Sequence, residues 1–386
     1  MVKVREQVAL SEFTTLRLGG PARRFVEAAT DEEIIAEVRS ADERGEPMLI
    51  LGGGSNLVIS DDGFPGTVIH VATKGIRRDD ADSANGSGAV AVTVAAGEDW
   101  DAVVASCVAE RLAGLECLSG IPGLAGATPI QNVGAYGQEV AETITLVRAY
   151  DRERGDVVEL PARDCGFGYR TSAFKRSARS VAALDGWGGF TGNFVLLNVV
   201  FGLDRSPLSR PVRYRELAHR LGLAEGERAP LGDARAAVLG LRRGKGMVLD
   251  SGDPDTRSAG SFFTNPILDA GQFAALQSVV AARCGPDVSI PRYPADAGYV
   301  KISAAWLIER AGFRKGYTGQ EGTSEGAGSP GLPGARISAK HTLALVNPGG
   351  ATAASLLGLA REVRDGVRDV FGVDLATEPV VVGDSL

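Results

Sequence analysis

Hydrophobic and polar positions in the first 200 residues alternate in short runs, a pattern that is typical of strands. Strands are predicted at residues 24–28, 48–51, 57–60, 67–71, 89–95, 144–151 and 193–203. A helix is predicted at 31–45, opened by Thr30 or Asp31, both common capping residues. A second is predicted at 99–112, because one face collects Trp100, Val103, Val104, Cys107, Val108 and Leu112.

The pattern changes near residue 205, where prolines and charged residues separate the strand-rich first half from a second half that mixes helices and strands. Helices are predicted at 233–243, 269–284, 303–311 and 352–371, and strands at 343–346 and 378–383. We therefore predict an α+β chain of two domains and a tail, with the bounds 1–205 (two subdomains split near 72–90), 206–372 and 373–386. The tail is predicted to contain a final strand. Low-complexity stretches at 79–88 and 319–334 are predicted to be disordered, the second as an insertion.

Composition narrows the function classes. The chain has 386 residues and a net charge of −7, which argues against a general nucleic-acid-binding protein. The first twenty residues show no signal peptide, and the apolar runs are too short to span a bilayer, so we expect a cytoplasmic protein without membrane partners. No coiled-coil pattern is visible, so we expect a monomer. The cysteines show no metal-ligand spacing and the three histidines are scattered, so no metal site is expected and the thiols are expected to be reduced.

Residues 120–137 carry the richest chemistry in the chain. They contain five glycines, two prolines and a Gln-Asn pair, without helical or strand periodicity. Glycine allows close backbone approach to a ligand, and proline fixes the turns between such approaches. A shorter glycine-rich loop, residues 52–56, directly follows a predicted strand and reads Gly-Gly-Gly-Ser-Asn; it is called the first glycine loop, and residues 120–137 the second. Consecutive glycines expose N–H donors that can form a nest for anionic oxygens, although the same composition also suits a tight turn between strands.

Neither loop matches a common nucleotide motif. No Gly-Lys-Ser/Thr follows residues 52–54, and no third glycine with a helix in register completes a GxGxxG fingerprint. Together, two such loops in one strand-rich domain favour an extended dinucleotide whose pyrophosphate is held by backbone amides.

Three polar residues elsewhere are candidates for catalysis. Arg170 follows Tyr169 in a glycine-bearing turn, and its guanidinium suits bidentate binding of a carboxylate. The alternative is that Arg170 is an ordinary surface arginine in a turn. Ser261 lies between glycine and two phenylalanines, where it could donate a proton, or is a strand-edge serine beside the core. Glu378 stands at the start of an apolar terminal segment, where it is either a functional acid or the exposed first residue of a strand.

These clusters occur in an order that resembles the UDP-N-acetylenolpyruvoylglucosamine reductase (MurB) family, flavoenzymes of peptidoglycan precursor synthesis. The resemblance runs from residues 14–20 (Thr-Thr-Leu-Arg-Leu-Gly-Gly) through both glycine loops, 168–170, 259–263 and 301–312 to Glu378. It implies a two-lobed FAD-binding domain of the vanillyl-alcohol-oxidase (PCMH) type, followed by an α+β substrate-binding domain and a C-terminal strand that returns toward the first domain. Thr264 stands where many members have lysine, and the segment around Glu378 departs from the common Pro-Glu-Val pattern.

The resemblance also implies roles for individual residues. Catalysis would fall to Arg170, Ser261 and Glu378. Non-covalent FAD would be held by Gly52, Gly53, Gly54, Ser55, Asn56, Leu57, Ser119, Ile121, Gly123, Gly126, Ala127, Thr128, Gln131, Asn132, Gly134, Ala135 and Tyr136. The substrate would contact Tyr169, Tyr214, Lys245, Asn265 and His341, and Tyr214 indicates the subgroup that keeps a tyrosine-bearing loop.

The implied reaction is the NADPH-dependent reduction of UDP-N-acetylglucosamine enolpyruvate to UDP-N-acetylmuramate through FAD. Two other functions stay open on the residues. An oxygen-using flavin oxidase of the same superfamily often tethers its flavin through histidine, and neither glycine loop contains one. A catalytically inactive sensor of nucleotide sugars could use the same fold, although the retention of Arg170, Ser261 and Glu378 argues against it.

Overall fold

The computed structural model describes residues 2–80, 89–177, 192–293, 295, 297–319 and 334–386. Its strands are β1 Lys3–Ala9, β2 Pro21–Ala28, β3 Met48–Leu51, β4 Leu57–Ile59, β5 Phe64–Val71, β6 Ile76–Asp80, β7 Ala89–Ala95, β8 Leu112–Ala113, β9 Gly134–Ala135, β10 Gln138–Glu139, β11 Ile144–Asp151, β12 Asp156–Pro161, β13 Phe194–Arg205, β14 Ile267–Asp269, β15 Arg292–Tyr293, β16 Tyr299–Ile302, β17 Arg336–Ile337, β18 Leu345–Val346 and β19 Val380–Val382. Its α-helices are α1 Asp31–Glu43, α2 Trp100–Ala109, α3 Ala173–Arg176, α4 Arg215–Leu221, α5 Leu231–Gly244, α6 Ala270–Cys284, α7 Ala304–Arg310 and α8 Ala353–Phe371.

The chain divides into two compact units. Unit 1 comprises Met1–Ala9, Pro21–Gly54 and Gly63–Val248, and unit 2 comprises Leu10–Gly20, Ser55–Asp62 and Leu249–Leu386. The domain boundaries predicted at residues 205 and 372 stay a prediction, because the division into compact units assigns no function to either unit. The segments predicted to be disordered fall almost entirely outside the described residues.

Two larger sheets carry most of the strands of unit 1, beside the short antiparallel pair β9-β10. The first has the order β1-β2-β5-β3, in which β1 runs antiparallel to β2 while β2, β5 and β3 are parallel. The second is antiparallel, with the order β12-β11-β13-β7-β6 and β8 added to β13. Helix α1 begins after Thr30, whose side chain accepts from the N–H of Glu33, and buries Ile34 and Val38 against the first sheet. Helix α2 buries Trp100, 0 % exposed, against the second sheet.

Unit 2 is built on helices and a small sheet. Strands β14, β16 and β15 form an antiparallel sheet, and β19 pairs with β4 in parallel. Helix α8 opens on a capping box between Thr352 and Ser355 and ends at Gly372, whose φ of +67° favours glycine. Its apolar face, which includes Leu356, Leu357 and Val363, lies in the core of this unit.

The structure corrects several predicted boundaries. The helix predicted at 99–112 ends at Ala109, because Arg111 takes a left-handed φ of +59° and Leu112 begins the short strand β8. The C-terminal strand spans only Val380–Val382, so Glu378 precedes it, and Pro379 between them has no N–H to donate to a ladder. None of the helices in the described ranges is both long and apolar enough to cross a bilayer.

Candidate active site

The predicted site residues are divided between the two units. Unit 1 holds Gly52–Gly54, the whole set between Ser119 and Tyr136, Tyr169, Arg170, Tyr214 and Lys245. Unit 2 holds Ser55, Asn56, Leu57, Ser261, Asn265, His341 and Glu378. Each set has its own geometry.

The two glycine-rich loops contact each other through their backbones inside unit 1. A Cβ atom placed on Gly53 would lie 2.6 Å from the Cα of Gly123, closer than real Cβ atoms come to any backbone atom. A Cβ on the neighbouring Gly52 would meet only the Leu124 side chain, at an ordinary 3.8 Å. The loop contact therefore requires glycine at position 53 because the two chains lie so close there.

Backbone donors are available beside this contact. Gly54 is buried and has a φ of +58°, and in the described part of the chain the N–H groups of Gly53 and Gly54 donate to no protein acceptor. Gly53 is half-buried, and N–H groups without a protein acceptor are available to donate to a ligand. Successive N–H groups in a turn suit anionic oxygens, and this cradle therefore fits a diphosphate.

The second loop is fixed at its centre to the segment that leads into α2. The N–H of Gly126 donates to the carbonyl of Ala96 at 2.9 Å, and the N–H of Ala125 donates to the carbonyl of Glu98 at 2.9 Å. A Cβ on Gly126 would lie 2.4 Å from the Cβ of Ala96, so position 126 also requires glycine. The N–H of Trp100 returns a bond to the carbonyl of Gly123 at 3.0 Å. Gly123 is thus held rigidly where it meets Gly53.

Several side chains predicted to hold a cofactor also form hydrogen bonds that stabilise the loop itself. The hydroxyl of Ser119 donates to the carbonyl of Glu116 at 2.7 Å, and that of Thr128 donates to the carbonyl of Ala125 at 2.8 Å. The Nδ2 of Asn132 donates to Oε2 of Glu139 at 2.7 Å and its Oδ1 accepts from the N–H of Ala141 at 3.1 Å. These bonds define the conformation in which the loop presents its backbone.

Arg170 lies in a tight two-residue turn. The backbone groups of Gly168 and Thr171 bond to each other at 3.0 and 3.2 Å, and Arg170 between them has a φ of +51°. Left-handed conformations are unfavourable for arginine and concentrate at functional sites. Its Nη2 donates to the carbonyl of Gly134 at 3.0 Å, and its guanidinium lies 5.7 Å from the ring centre of Tyr169. The predicted catalytic arginine is therefore joined to the second glycine loop.

Aromatic and charged side chains cluster around the end of that loop. The rings of Tyr136 and Tyr214 meet edge to face with their centres 5.3 Å apart, and the Nζ of Lys245 lies 5.8 Å from the centre of the Tyr136 ring. The same Nζ lies 2.7 Å from Oε2 of Glu216. Burial raises the pKa of Tyr136, although the nearby cations Lys245 and Arg242 act in the opposite direction. Three residues predicted to contact cofactor or substrate thus lie in one group, with a carboxylate that the sequence did not single out.

In unit 2, Ser261 and Glu378 lie on paired backbone segments. Phe263 and Thr377 form an antiparallel bridge, and the N–H of Glu378 donates to the carbonyl of Phe262 at 2.9 Å. Phe262 and Phe263 are both 1 % exposed, so the residues that follow Ser261 are anchored in the core. The predicted proton donor and the predicted acid are thereby held in a fixed register.

The loop residue Asn56 is attached to the same segment. Its Nδ2 donates to the carbonyl of Glu378 at 3.2 Å, and its own carbonyl accepts from the N–H of Val380 at 3.0 Å. Because β19 then continues in parallel beside β4, the backbone on both sides of Glu378 is fixed.

Asn265 and His341, predicted to contact the substrate, have structural partners. The Oδ1 of Asn265 accepts from the N–H of Ala304 at 2.9 Å, so this side chain caps the start of α7. The N–H of His341 donates to the hydroxyl of Ser338 at 3.2 Å, in the turn that leads to Leu343. The carbonyl of Leu343 accepts from the N–H of Phe262 at 2.7 Å, which connects this turn to the segment that carries Ser261.

Two protein-family models match this chain. A family model described as "FAD binding domain" matches residues 22–161, and one described as "UDP-N-acetylenolpyruvoylglucosamine reductase, C-terminal domain" matches residues 253–382. The UDP-N-acetylenolpyruvoylglucosamine reductase of Thermobifida fusca is 54% identical over 98% of both chains, and that of Streptomyces coelicolor is 53% identical over 98% of this chain and 90% of the relative. The chain belongs to the UDP-N-acetylenolpyruvoylglucosamine reductase family.

A solved structure in this family has the same fold. The crystal structure of the reductase (MurB) from Thermus caldophilus aligns with a TM-score of 0.61 at 24% identity, over 99% of this chain and 100% of that one. The predicted fold class, a PCMH-type FAD-binding domain followed by an α+β domain, is confirmed.

Polar residues that support the second glycine loop were not predicted from the sequence. The carboxylate of Asp101 accepts from the N–H of Gly120 at 2.6 Å and from both terminal nitrogens of Arg235 at 2.6 and 2.9 Å. Burial would raise the pKa of Asp101, but the bonds from Arg235 and Gly120 outweigh it and the pKa is lowered. Asp101 is therefore an anion that fixes the start of the second glycine loop. Its position on the first turn of α2, one residue after the buried Trp100, was the only signal available.

Arg242 was missed as well. Its Nη2 donates to the carbonyl of Met247 at 2.8 Å, whereas its Nε is buried without a partner among the described residues. Burial lowers its pKa to about 10. A Cβ on Gly120 would lie 3.5 Å from that Nε, so Arg242 supplies positive charge directly behind the loop.

Proposed function

We propose that this chain is an FAD-dependent oxidoreductase that uses NADPH to reduce UDP-N-acetylglucosamine enolpyruvate to UDP-N-acetylmuramate, a step in peptidoglycan precursor synthesis. One observation carries the proposal: over nearly the whole chain, more than half of the aligned residues are identical to those of named reductases. The geometry of the glycine loops and of the paired segments that carry Ser261 and Glu378 supports it.

The glycine loops are proposed to hold FAD. Gly53 and Gly54 offer their N–H groups to the pyrophosphate, and the loop from Ser119 to Tyr136, fixed by Asp101 and Asn132, surrounds the rest of the cofactor. When bound, FAD accepts hydride from NADPH and gives hydride to the substrate double bond. The protein binds, orients and excludes water around that chemistry.

Arg170 is proposed to bind the substrate carboxylate. A guanidinium can make two parallel hydrogen bonds to a carboxylate, and its charge stabilises the negative charge that spreads into that group as the neighbouring carbon gains electron density. The bond from Nη2 to the carbonyl of Gly134 orients the guanidinium from the loop side. Arg170 holds this position with a left-handed φ of +51°, a conformation that is unfavourable for a non-glycine residue.

Ser261 is proposed to protonate the substrate carbon that does not receive hydride. Ser261 is half-buried and the two phenylalanines after it are anchored in the core, so its hydroxyl is held in place as a proton donor. Glu378, in register with the same segment, is proposed to hydrogen-bond to the substrate and polarise it.

Lys245, Tyr214 and Asn265 are proposed to bind the UDP part, together with Tyr169 and His341. An ammonium suits a diphosphate as a point charge, and Tyr214 offers both a ring face and a hydroxyl. We further propose that the protein acts as a monomer in the cytoplasm, in line with the absence of a coiled-coil pattern from its sequence.

An anaerobic experiment tests the proposal. The purified protein is reduced with NADPH, UDP-N-acetylglucosamine enolpyruvate is added, and the flavin absorbance is followed. Recovery of the oxidised spectrum without oxygen is expected. If only air restores the colour, the chain is instead an oxidase, and if the protein binds no flavin, the interpretation of both glycine loops is wrong.

A further inference from the structure

The two ends of the second glycine loop are joined by a pair of buried polar side chains. Glu116 precedes the loop and is 0 % exposed, and Gln138 follows it and is 5 % exposed. The Nε2 of Gln138 donates to Oε1 of Glu116 at 2.9 Å, and the Oε1 of Gln138 accepts from the N–H of Cys117 at 2.9 Å. Two hydrogen bonds therefore close residues 119–137 at their base.

The carboxylate of Glu116 has further donors. Its Oε2 accepts from the N–H of Gly114 at 2.6 Å, and its Oε1 also accepts from the N–H of Arg210 at 2.6 Å. The guanidinium of Arg210 pairs with Asp204 instead, at 3.1 Å. Among the described residues no basic side chain forms an ion pair with Glu116, so its neighbours are N–H dipoles.

This donor set requires a group that only accepts. An ionised carboxylate can accept all three bonds, whereas an amide at position 116 would direct an N–H₂ toward another donor. An unmatched buried donor is unfavourable, and the loop could relieve it only by moving one of its ends. The side chain of Glu116 thus matters for the geometry of the loop more than for its packing.

We propose that Glu116 and Gln138 form a clasp that holds the loop 119–137 in its FAD-binding conformation before the cofactor arrives. The inference rests on the proposed function, because it concerns the same cofactor. Neither residue is catalytic; both are positioning residues. Closing the loop in advance removes conformational entropy that FAD binding would otherwise have to overcome, so the clasp strengthens binding without a contact of its own.

The test compares Glu116→Gln with a matched control. Asp151→Asn removes another buried carboxylate of unit 1, which accepts from the N–H groups of Glu153 and Arg154 and from Nδ2 of Asn193. Glu116→Gln is expected to raise the Kd for FAD by about tenfold and to speed FAD release from the holoprotein, followed by the rise in flavin fluorescence. Asp151→Asn is expected to lower the melting temperature while the Kd for FAD stays at the wild-type value.

A charge-swapped pair tests the direct contact. Gln138→Glu alone places two carboxylates together and is expected to weaken FAD binding at least as much as Glu116→Gln, whereas the double variant Glu116→Gln/Gln138→Glu restores a donor opposite an acceptor and is expected to recover part of the affinity. Equal loss of affinity in Glu116→Gln and Asp151→Asn, no loss in either, or a double variant no tighter than the singles would overturn the clasp. Failure of the wild-type protein to bind FAD would instead overturn the proposed function.

Discussion

The N–H of Glu378 donates to the carbonyl of Phe262, 2.9 Å away, and this bond connects the C-terminal segment to the residue that follows Ser261. The neighbouring bridge between Phe263 and Thr377 extends the pairing. Two residues proposed to act on one substrate, more than a hundred positions apart in the chain, are therefore placed by backbone bonds rather than by their own side chains. Their side chains can be changed without dismantling the frame that carries them.

Replacing Ser261 by alanine tests its role as proton donor. Because the hydroxyl is not needed for the backbone pairing, Ser261→Ala is expected to bind FAD and to be reduced by NADPH at the wild-type rate. Steady-state turnover should fall by about 10²-fold or more, as expected for the loss of a general acid. The measurement is a stopped-flow comparison of flavin reduction with overall turnover.

Thr264→Val is the matched control, since it removes a hydroxyl from the same segment. The hydroxyl of Thr264 donates to the carbonyl of Ala376 at 3.3 Å and has no proposed part in the chemistry. Its turnover should stay within about threefold of wild type, the scale of one weak hydrogen bond. Near wild-type turnover in Ser261→Ala would exclude that serine as the proton donor.

Gly53→Ala should destroy the contact between the glycine loops. The added methyl group would lie 2.6 Å from the Cα of Gly123, so one loop has to move. Overpacking of this kind typically costs about 1–3 kcal/mol, which corresponds to a roughly 5- to 150-fold higher Kd for FAD. Isothermal titration of the FAD-free protein measures it.

The neighbouring glycine provides the comparison. In Gly52→Ala the methyl group meets only the Leu124 side chain at 3.8 Å, so the Kd should change little. Equal affinities for all three proteins would show that the loop contact does not shape the FAD site.

Local pattern was enough to predict much of the fold. The strands Met48–Leu51, Ala89–Ala95 and Ile144–Asp151 have the predicted bounds, because each is a short, largely apolar run that ends at or near glycine or at charged residues. Helix α8 begins after Thr352 and ends at Phe371 as predicted, since its apolar stripe and capping residues give the same boundaries. Helix α4 and strands β1, β6 and β12 were missed, because short amphipathic segments with many charges give a weak periodic signal.

The contacts that shape the candidate site were beyond local pattern. Nothing near Gly53 in the sequence indicates that Gly123 lies against it, and nothing near Glu116 indicates that Gln138 closes a loop over it. Such pairings depend on how distant segments pack, and neither residue type nor spacing encodes them. The candidate site residues could be predicted because an ordered set of motifs resembles a known family. Asp101 and Arg242, which support the second glycine loop, belong to no such motif and were not predicted.

Lys245 should act in binding rather than in chemistry. Lys245→Ala is expected to raise KM more than it lowers kcat, because it removes a charge proposed to bind the diphosphate without touching the reacting carbons. Steady-state kinetics with varied UDP-N-acetylglucosamine enolpyruvate separate the two parameters. The reverse pattern, a large fall in kcat at constant KM, would place Lys245 in the chemistry.

Replacing Glu216, which forms an ion pair with Lys245, is expected to change KM in the opposite direction. Its Oε2 lies 2.7 Å from the Nζ of Lys245, so a bound diphosphate has to compete with this carboxylate. Both side chains are partly exposed, and such pairs contribute at most about 1 kcal/mol. Glu216→Gln should therefore lower KM by up to about fivefold, a factor set by that energy. A raised KM would mean that Glu216 orients Lys245 for the substrate instead of competing with it.

His70 should make the stability of the protein depend on pH. It lies in β5 with its ring stacked 5.8 Å from that of Phe25, and burial lowers its pKa, although Glu27 opposes the shift. The unfolded chain, with a histidine pKa of about 6.5, then binds more protons than the folded protein, so the free energy of unfolding falls as the pH drops from about 7 through that value toward the lower folded pKa. In His70→Gln this fall should be shallower, measured as the midpoint of urea unfolding at a series of pH values. Identical slopes in His70→Gln and the wild-type protein would exclude His70 as the titrating group.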